Sequence, residues 1–142
     1  MSWTRIWVHL VFTTKLRKPF LKDNLLPLVC RHIHEQGFKK EIPINIVNGY
    51  HNHLHCLLLL PRDKSLSKCV QLIKGESSYW INKSDLTPGR FSWQDDYWAA
   101  SVSDAHKENT RKYIARQIEH HRKESFKEEL ARMIENQELR GF

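Results

Sequence analysis

His53-Leu54-His55 is the segment of this 142-residue chain whose residue types and spacing most directly suggest chemistry. Side chains alternate between the two faces of an extended strand, so both imidazoles point one way and Leu54, Cys56 and Leu58 point the other. Two neutral imidazoles at i and i+2 can hold one divalent cation, because ring nitrogens suit several metals. Such a pair in isolation is more often a surface or hydrogen-bonded pair of histidines, so it needs corroboration. His51 falls on the same face as a candidate third ligand, although a place in the turn before the strand is the simpler reading.

A second arrangement lies between Asp104 and His121, a stretch with neither Gly nor Pro. On a helix, Tyr113 and Gln117 share one face at i and i+4. A phenol with a pKa of about 10 is a poor nucleophile at neutral pH, so its use requires a metal or other cation to polarise its target. A Gln oxygen one turn away can help to hold that metal.

The elements that carry these residues follow from local patterning. Ile6 to Thr14 is rich in β-branched and aromatic residues and predicts a strand. Asp23 or Asn24 can cap a helix through Leu25, Val29 and Ile33 that ends near Gly37. Ile42 to Val47 and Tyr50 to Leu60 predict a hairpin with Asn48 and Gly49 at its turn. Ser65 opens a helix through Cys69, Val70, Ile73 and Trp80. Trp98 to Ser103 predicts a last strand, and Asp104 caps the next helix. The order β, α, β, β, α, β, then a helix and a tail, is that of an α+β, ferredoxin-like split βαβ fold. It implies a four-stranded antiparallel sheet with helices on one face and the other face available for a ligand or partner.

Lys and Arg number 23 against 16 Asp and Glu, a net charge of +7, which favours a polyanion as partner. Residues 122–142 carry five residues of each sign, so the excess belongs to 1–121. We therefore divide the chain into a body, 1–121, and an amphipathic helical tail, 122–142. In the tail Phe126, Leu130, Met133 and Ile134 recur at helical spacing and require an apolar surface, which a second subunit could supply. Cys30, Cys56 and Cys69 are too few and too far apart for a disulfide framework or a paired zinc site, and read as buried small hydrophobes. No run approaches the roughly 20 apolar residues of a membrane span, and the first ten residues lack a signal-peptide cleavage site, so a cytoplasmic location without membrane partners is expected.

Five ordered segments resemble the HUH-tyrosine transposases, the single-tyrosine enzymes of small insertion sequences that include the REP-associated tyrosine transposases. They are HLVFTTKLRKPFL, HNHLHCLLLLP, LIKGESSYWIN, FSWQDDYWAASVS and YIARQIEHHRKESFKEEL. The resemblance implies a metal-dependent DNA strand transferase that cuts and rejoins single-stranded DNA near hairpins through a 5′-phosphotyrosine bond, with Mg²⁺ or Mn²⁺. It implies Tyr113 as nucleophile, His53, His55 and Gln117 as metal ligands, and a homodimer whose active sites are shared between subunits. Asp95, Asp96 and Trp98 depart from the smaller residues of that family. By charge, Lys15, Arg17, Lys18, Lys74, Arg111, Lys112 and Arg116 are candidate phosphate contacts as a group. The competing readings are a non-enzymatic single-stranded nucleic-acid binder, for which Trp3, Trp7, Tyr50 and Trp93 offer stacking surfaces, and a relaxase-like or domesticated HUH nuclease.

Overall fold

Ile6 to Thr14 forms β1 (Trp7–Thr13) in the computed structural model, which describes the backbone of residues 1–140 and the side chains through Glu135. The last two residues of the expected tail lie outside the described residues. Helix α1 (Leu25–Lys39), strands β2 (Ile44–Tyr50) and β3 (His53–Leu59), helix α2 (Leu66–Lys83) and strand β4 (Trp98–Val102) follow in the expected order. The four strands pair antiparallel in the order β2-β3-β1-β4, which puts the histidine strand β3 and its partner β1 at the centre.

Val8, Leu10 and Phe12 of β1 and Leu54, Cys56 and Leu58 of β3 face α1 and α2, and together they bury the larger core. Ser65 caps α2 as its sequence suggests, its hydroxyl accepting from the Lys68 amide at 3.1 Å. Asn24 precedes α1 without a side-chain cap, and α1 runs two residues past Gly37. Gly37 serves packing instead: a Cβ there would lie 2.9 Å from the Ile42 carbonyl oxygen, so its bareness lets β2 start against the helix.

The hairpin differs from its sequence reading. Asn48 and Gly49 lie inside β2, paired with His55 and Leu54, and the turn is His51-Asn52. Gly49 is there because a Cβ would collide with the His53 carbonyl oxygen and come within 2.9 Å of Leu54 Cα. His51 therefore belongs to the turn, stacked on Tyr50 with ring centroids 4.0 Å apart. Asp104 does not cap a helix with its side chain. Its carboxylate accepts from Arg5 Nε at 2.7 Å and Trp7 Nε1 at 3.1 Å.

The expected open face of the sheet is covered. Helices α3 (Lys107–Ala115), α4 (Gln117–His120) and α5 (Phe126–Arg140) fold back across it. Ile114 packs on Trp7 and Leu57, and Phe126 and Met133 pack on Val11, with Trp98 and Leu130 beside them. The apolar surface that the tail requires is thus the chain's own sheet, while Ile134 stays 41% exposed. No helix among the described residues is long and apolar enough to cross a membrane.

Candidate active site

His53 and His55 project from β3 onto the face covered by α3, α4 and α5, and both are fully buried. Their Nε2 atoms converge on one carboxylate oxygen: Glu129 Oε1 lies 3.3 Å from His53 Nε2 and 3.1 Å from His55 Nε2. Gln117 Oε1 sits 3.2 Å from His53 Nε2, while Gln117 Nε2 donates to Glu129 Oε2 at 3.1 Å. The helix expected to be continuous from Asp104 to His121 is broken at Arg116, yet Tyr113 and Gln117 both reach the site. The Asn48 side chain donates to the carbonyls of Ile114 and Ala115 and so fastens the end of α3 to the sheet.

The positions of the protons follow from the partners. Asn52 Nδ2 donates to the Arg17 carbonyl at 3.5 Å, which turns Asn52 Oδ1 toward His53 Nδ1 at 2.9 Å. His53 Nδ1 then carries the proton, and its Nε2 lone pair faces two oxygens. Burial lowers the His53 pKa to about 4, so the ring is neutral near pH 7. Three lone-pair atoms, His53 Nε2, Gln117 Oε1 and Glu129 Oε1, thus meet without a proton between them. That arrangement is repulsive by itself and is compatible with a divalent cation among the three atoms. Bonds of about 2.1 Å in an octahedral site place adjacent donors about 3 Å apart, and the observed separations of 3.2 and 3.3 Å agree.

His9, on β1, stands behind His55 with its Nε2 2.8 Å from His55 Nδ1. An imidazole that donates one N–H to such a partner has its tautomer fixed, with the other ring nitrogen left as an acceptor. Burial lowers His9 to about 3, and His55 is lowered as well for the same reason.

The Tyr113 hydroxyl donates to Glu129 Oε2 and accepts from Arg132 Nη2 at 3.1 Å. Burial raises the phenol pKa, the bond to Glu129 raises it further, and Arg132 opposes both. Glu129 itself is fully buried. Burial favours its neutral form, but the polar contacts of His121, His53 and His55 with it outweigh that and hold it far below the usual carboxylate range.

All four residues expected to do chemistry, His53, His55, Tyr113 and Gln117, come together within a single chain. The expected sharing of sites between subunits is therefore not needed to assemble them, because the connection from β4 to α3 is short enough for α3 to return to its own sheet. Among the candidate phosphate contacts, Lys15, Arg17, Lys18, Lys112, Arg116 and Arg111 are exposed. Arg17 lies over the Phe126 ring at 5.1 Å, and Arg111 pairs with Glu108 at 3.6 Å. Lys74 is different. It is on α2, and its ammonium donates to the carbonyls of Gln94, Asp95 and Asp96, so it braces that loop.

Sequence reasoning missed His9, His121, Glu129 and Arg132. Glu129 left a signal: on a helix it shares the stripe of Phe126, Leu130 and Met133, and an acid on an apolar stripe calls for a buried partner.

The sequence matches the family described as "Transposase IS200 like" over residues 2–117. Comparison with curated protein sequences gives no significant match. Among solved structures, the fold is similar to that of a protein of Deinococcus radiodurans R1 described as a candidate transposase. Its TM-score is 0.66 at 19% identity, covering 82% of this chain and 93% of that one. It is also similar to a REP-associated tyrosine transposase bound to a REP hairpin, with a TM-score of 0.57 at 18% identity, covering 89% of this chain and 76% of that one. With the family match spanning most of the sequence and the same architecture in both neighbours, the chain belongs to the IS200-like transposases.

Proposed function

We propose that this transposase cleaves and rejoins single-stranded DNA near hairpin ends through a 5′-phosphotyrosine at Tyr113, with Mg²⁺ or Mn²⁺ held by His53, His55 and Gln117. The observation that carries the reading is the convergence of the Tyr113 hydroxyl, the two histidine Nε2 atoms and the Gln117 amide on one carboxylate. The hairpin in the complex of the REP-associated neighbour supports a hairpin-bearing DNA as partner. The exposed basic residues at 15–18 and 111–116 suit its phosphates.

The chain's residues divide the work. A divalent cation would polarise the scissile phosphate and neutralise charge that develops on it. Arg132, donating to the Tyr113 oxygen, favours the phenolate, while Glu129 is placed to receive the phenol proton. As the Tyr113 oxygen bonds to phosphorus, the bond from phosphorus to the 3′ oxygen breaks and that oxygen leaves as a 3′-hydroxyl after taking up a proton. The phosphodiester energy stays in the tyrosyl ester, so the reverse attack by a 3′-hydroxyl rejoins strands without a nucleotide cofactor. A cleft of about 580 Å³ beside the site, lined by Arg17, Tyr97, Trp98 and Phe126 among others, offers aromatic surface and positive charge to an adjoining nucleotide.

Tyr113→Phe is the direct test. The variant keeps the ring, so it should bind hairpin DNA within a few-fold of the unaltered chain and form no detergent-stable adduct. An adduct that persists, or that mass spectrometry places on Tyr50, Tyr79 or Tyr97, contradicts the assignment. A chain that binds but never forms an adduct is a binder instead.

A further inference from the structure

We propose that Glu129 is itself a metal ligand, so that a divalent cation at the histidine pair ties helix α5 to the sheet. The inference rests on the metal reading of His53, His55 and Gln117 and adds a residue from the helix that covers them. Glu129 Oε1 occupies the position of a neighbouring donor, 3.1 and 3.3 Å from the two histidine Nε2 atoms and 3.0 Å from His121 Nε2. Its other oxygen accepts the Gln117 amide N–H, and that contact aims Gln117 Oε1 at His53. Among the described residues, His53, His55 and Glu129 form a fully buried group whose ligand atoms all lie within 4.8 Å of one another.

Charge argues the same way. A carboxylate out of reach of water needs a cation or an unusually full set of donors. Among the described residues no Lys or Arg touches Glu129; Arg132 is engaged with Glu124 and the Tyr113 hydroxyl. The carboxylate's neighbours are the neutral donors Gln117 and Tyr113 and a set of histidine rings, and the His53 Nε2 that faces it has no proton to give. A divalent cation supplies the missing positive charge and uses the lone pairs of all three groups. Phe126, Leu130 and Met133 hold the carboxylate in place by docking its helix on Val11 and Trp98. Binding the ion and closing α5 are then one coupled event.

The test is Mn²⁺ titration of the full-length chain by calorimetry, with Glu129→Gln and His55→Ala compared under identical conditions. Hydrogen exchange over residues 126–135 of the unaltered chain is followed with and without Mn²⁺. Glu129→Gln should weaken Mn²⁺ at least 10-fold, and Mn²⁺ should slow exchange in α5 of the unaltered chain at least 10-fold but not in the variant. Unchanged Mn²⁺ affinity in Glu129→Gln overturns the proposal. So does tighter binding, which would make the carboxylate an occupant of the cation's place, and so does exchange in α5 of the unaltered chain that ignores Mn²⁺, a result that needs no variant to fold. If His55→Ala also binds Mn²⁺ like the unaltered chain, the underlying histidine reading fails too. If only Glu129→Gln does, that reading stands and Glu129 is excluded.

Discussion

At the scale of single residues, burial of histidines decides how the protein responds to acid. In the unfolded chain His9 and His53 take up protons near the ordinary histidine pKa of about 6.5. In the fold, burial delays them to about 3 and about 4. Between about pH 6.5 and 4 the unfolded state therefore binds more protons, and stability falls as pH falls, by up to about 1.4 kcal/mol per pH unit for each histidine. Glu129 adds a loss of the same sign below the ordinary carboxylate pKa, because the fold keeps it ionised where the unfolded chain protonates it. Denaturant melts of the metal-free chain should show a midpoint that drops steadily from pH 7 to 5, and His9→Phe should flatten that slope. A pH-independent midpoint would mean that these rings are not held neutral. The shared face of His53 and His55 on β3 was legible from the sequence because strand alternation is strict. His9 was not, since a lone histidine in an apolar strand carries no mark of the ring that will lie across from it.

At the scale of elements, the two glycines at 49 and 75 separate local propensity from tertiary demand. Gly75 sits within α2 with nothing within 4 Å of the Cβ it lacks. Gly75→Ala should raise stability by about 0.5–1 kcal/mol through helix propensity and a less flexible unfolded chain. Gly49→Ala should lower stability by about 2 kcal/mol or more, because its methyl group must displace the backbone of His53 and Leu54. Chemical denaturation of the two variants checks both signs, and equal small effects would show that β2 can shift away from β3. The same contrast explains where pattern reading worked. The order of strands and helices follows from periodicity and from caps such as Ser65, which are local. The turn at His51-Asn52 does not, because Asn48-Gly49 is the stronger turn signal and is overruled by the need to bring two backbones together. Nor does the break at Arg116, where no Gly or Pro announces that the chain will start a new helix.

At the scale of the whole molecule, the decisive feature is that both faces of the sheet are covered by one chain. An amphipathic tail read in isolation names only its need for an apolar surface, and nothing local distinguishes a partner's surface from the chain's own. Here Phe126 and Met133 satisfy that need against Val11 of the same sheet, and they carry Glu129 to the histidines as they do so. His53, His55, Gln117 and Glu129 are all fully buried beneath the covering helices, while Tyr113, at the rim, is half-buried. Ile114 and the Asn48 contacts hold α3 to the sheet without help from the tail. Tyr113 and Gln117 thus lie beside the His53 and His55 of their own chain. A mixture of two defective chains tests this directly. If sites were shared across subunits, pairing a His55→Ala chain with a Tyr113→Phe chain would leave one intact site in two, and the covalent adduct would reappear. With sites built inside one chain, every site in the mixture carries one defect. We expect coexpressed, copurified His55→Ala and Tyr113→Phe chains to form no more covalent DNA adduct than either alone. Recovery of adduct toward half the unaltered level would mean that α3 leaves its own sheet for that of a partner.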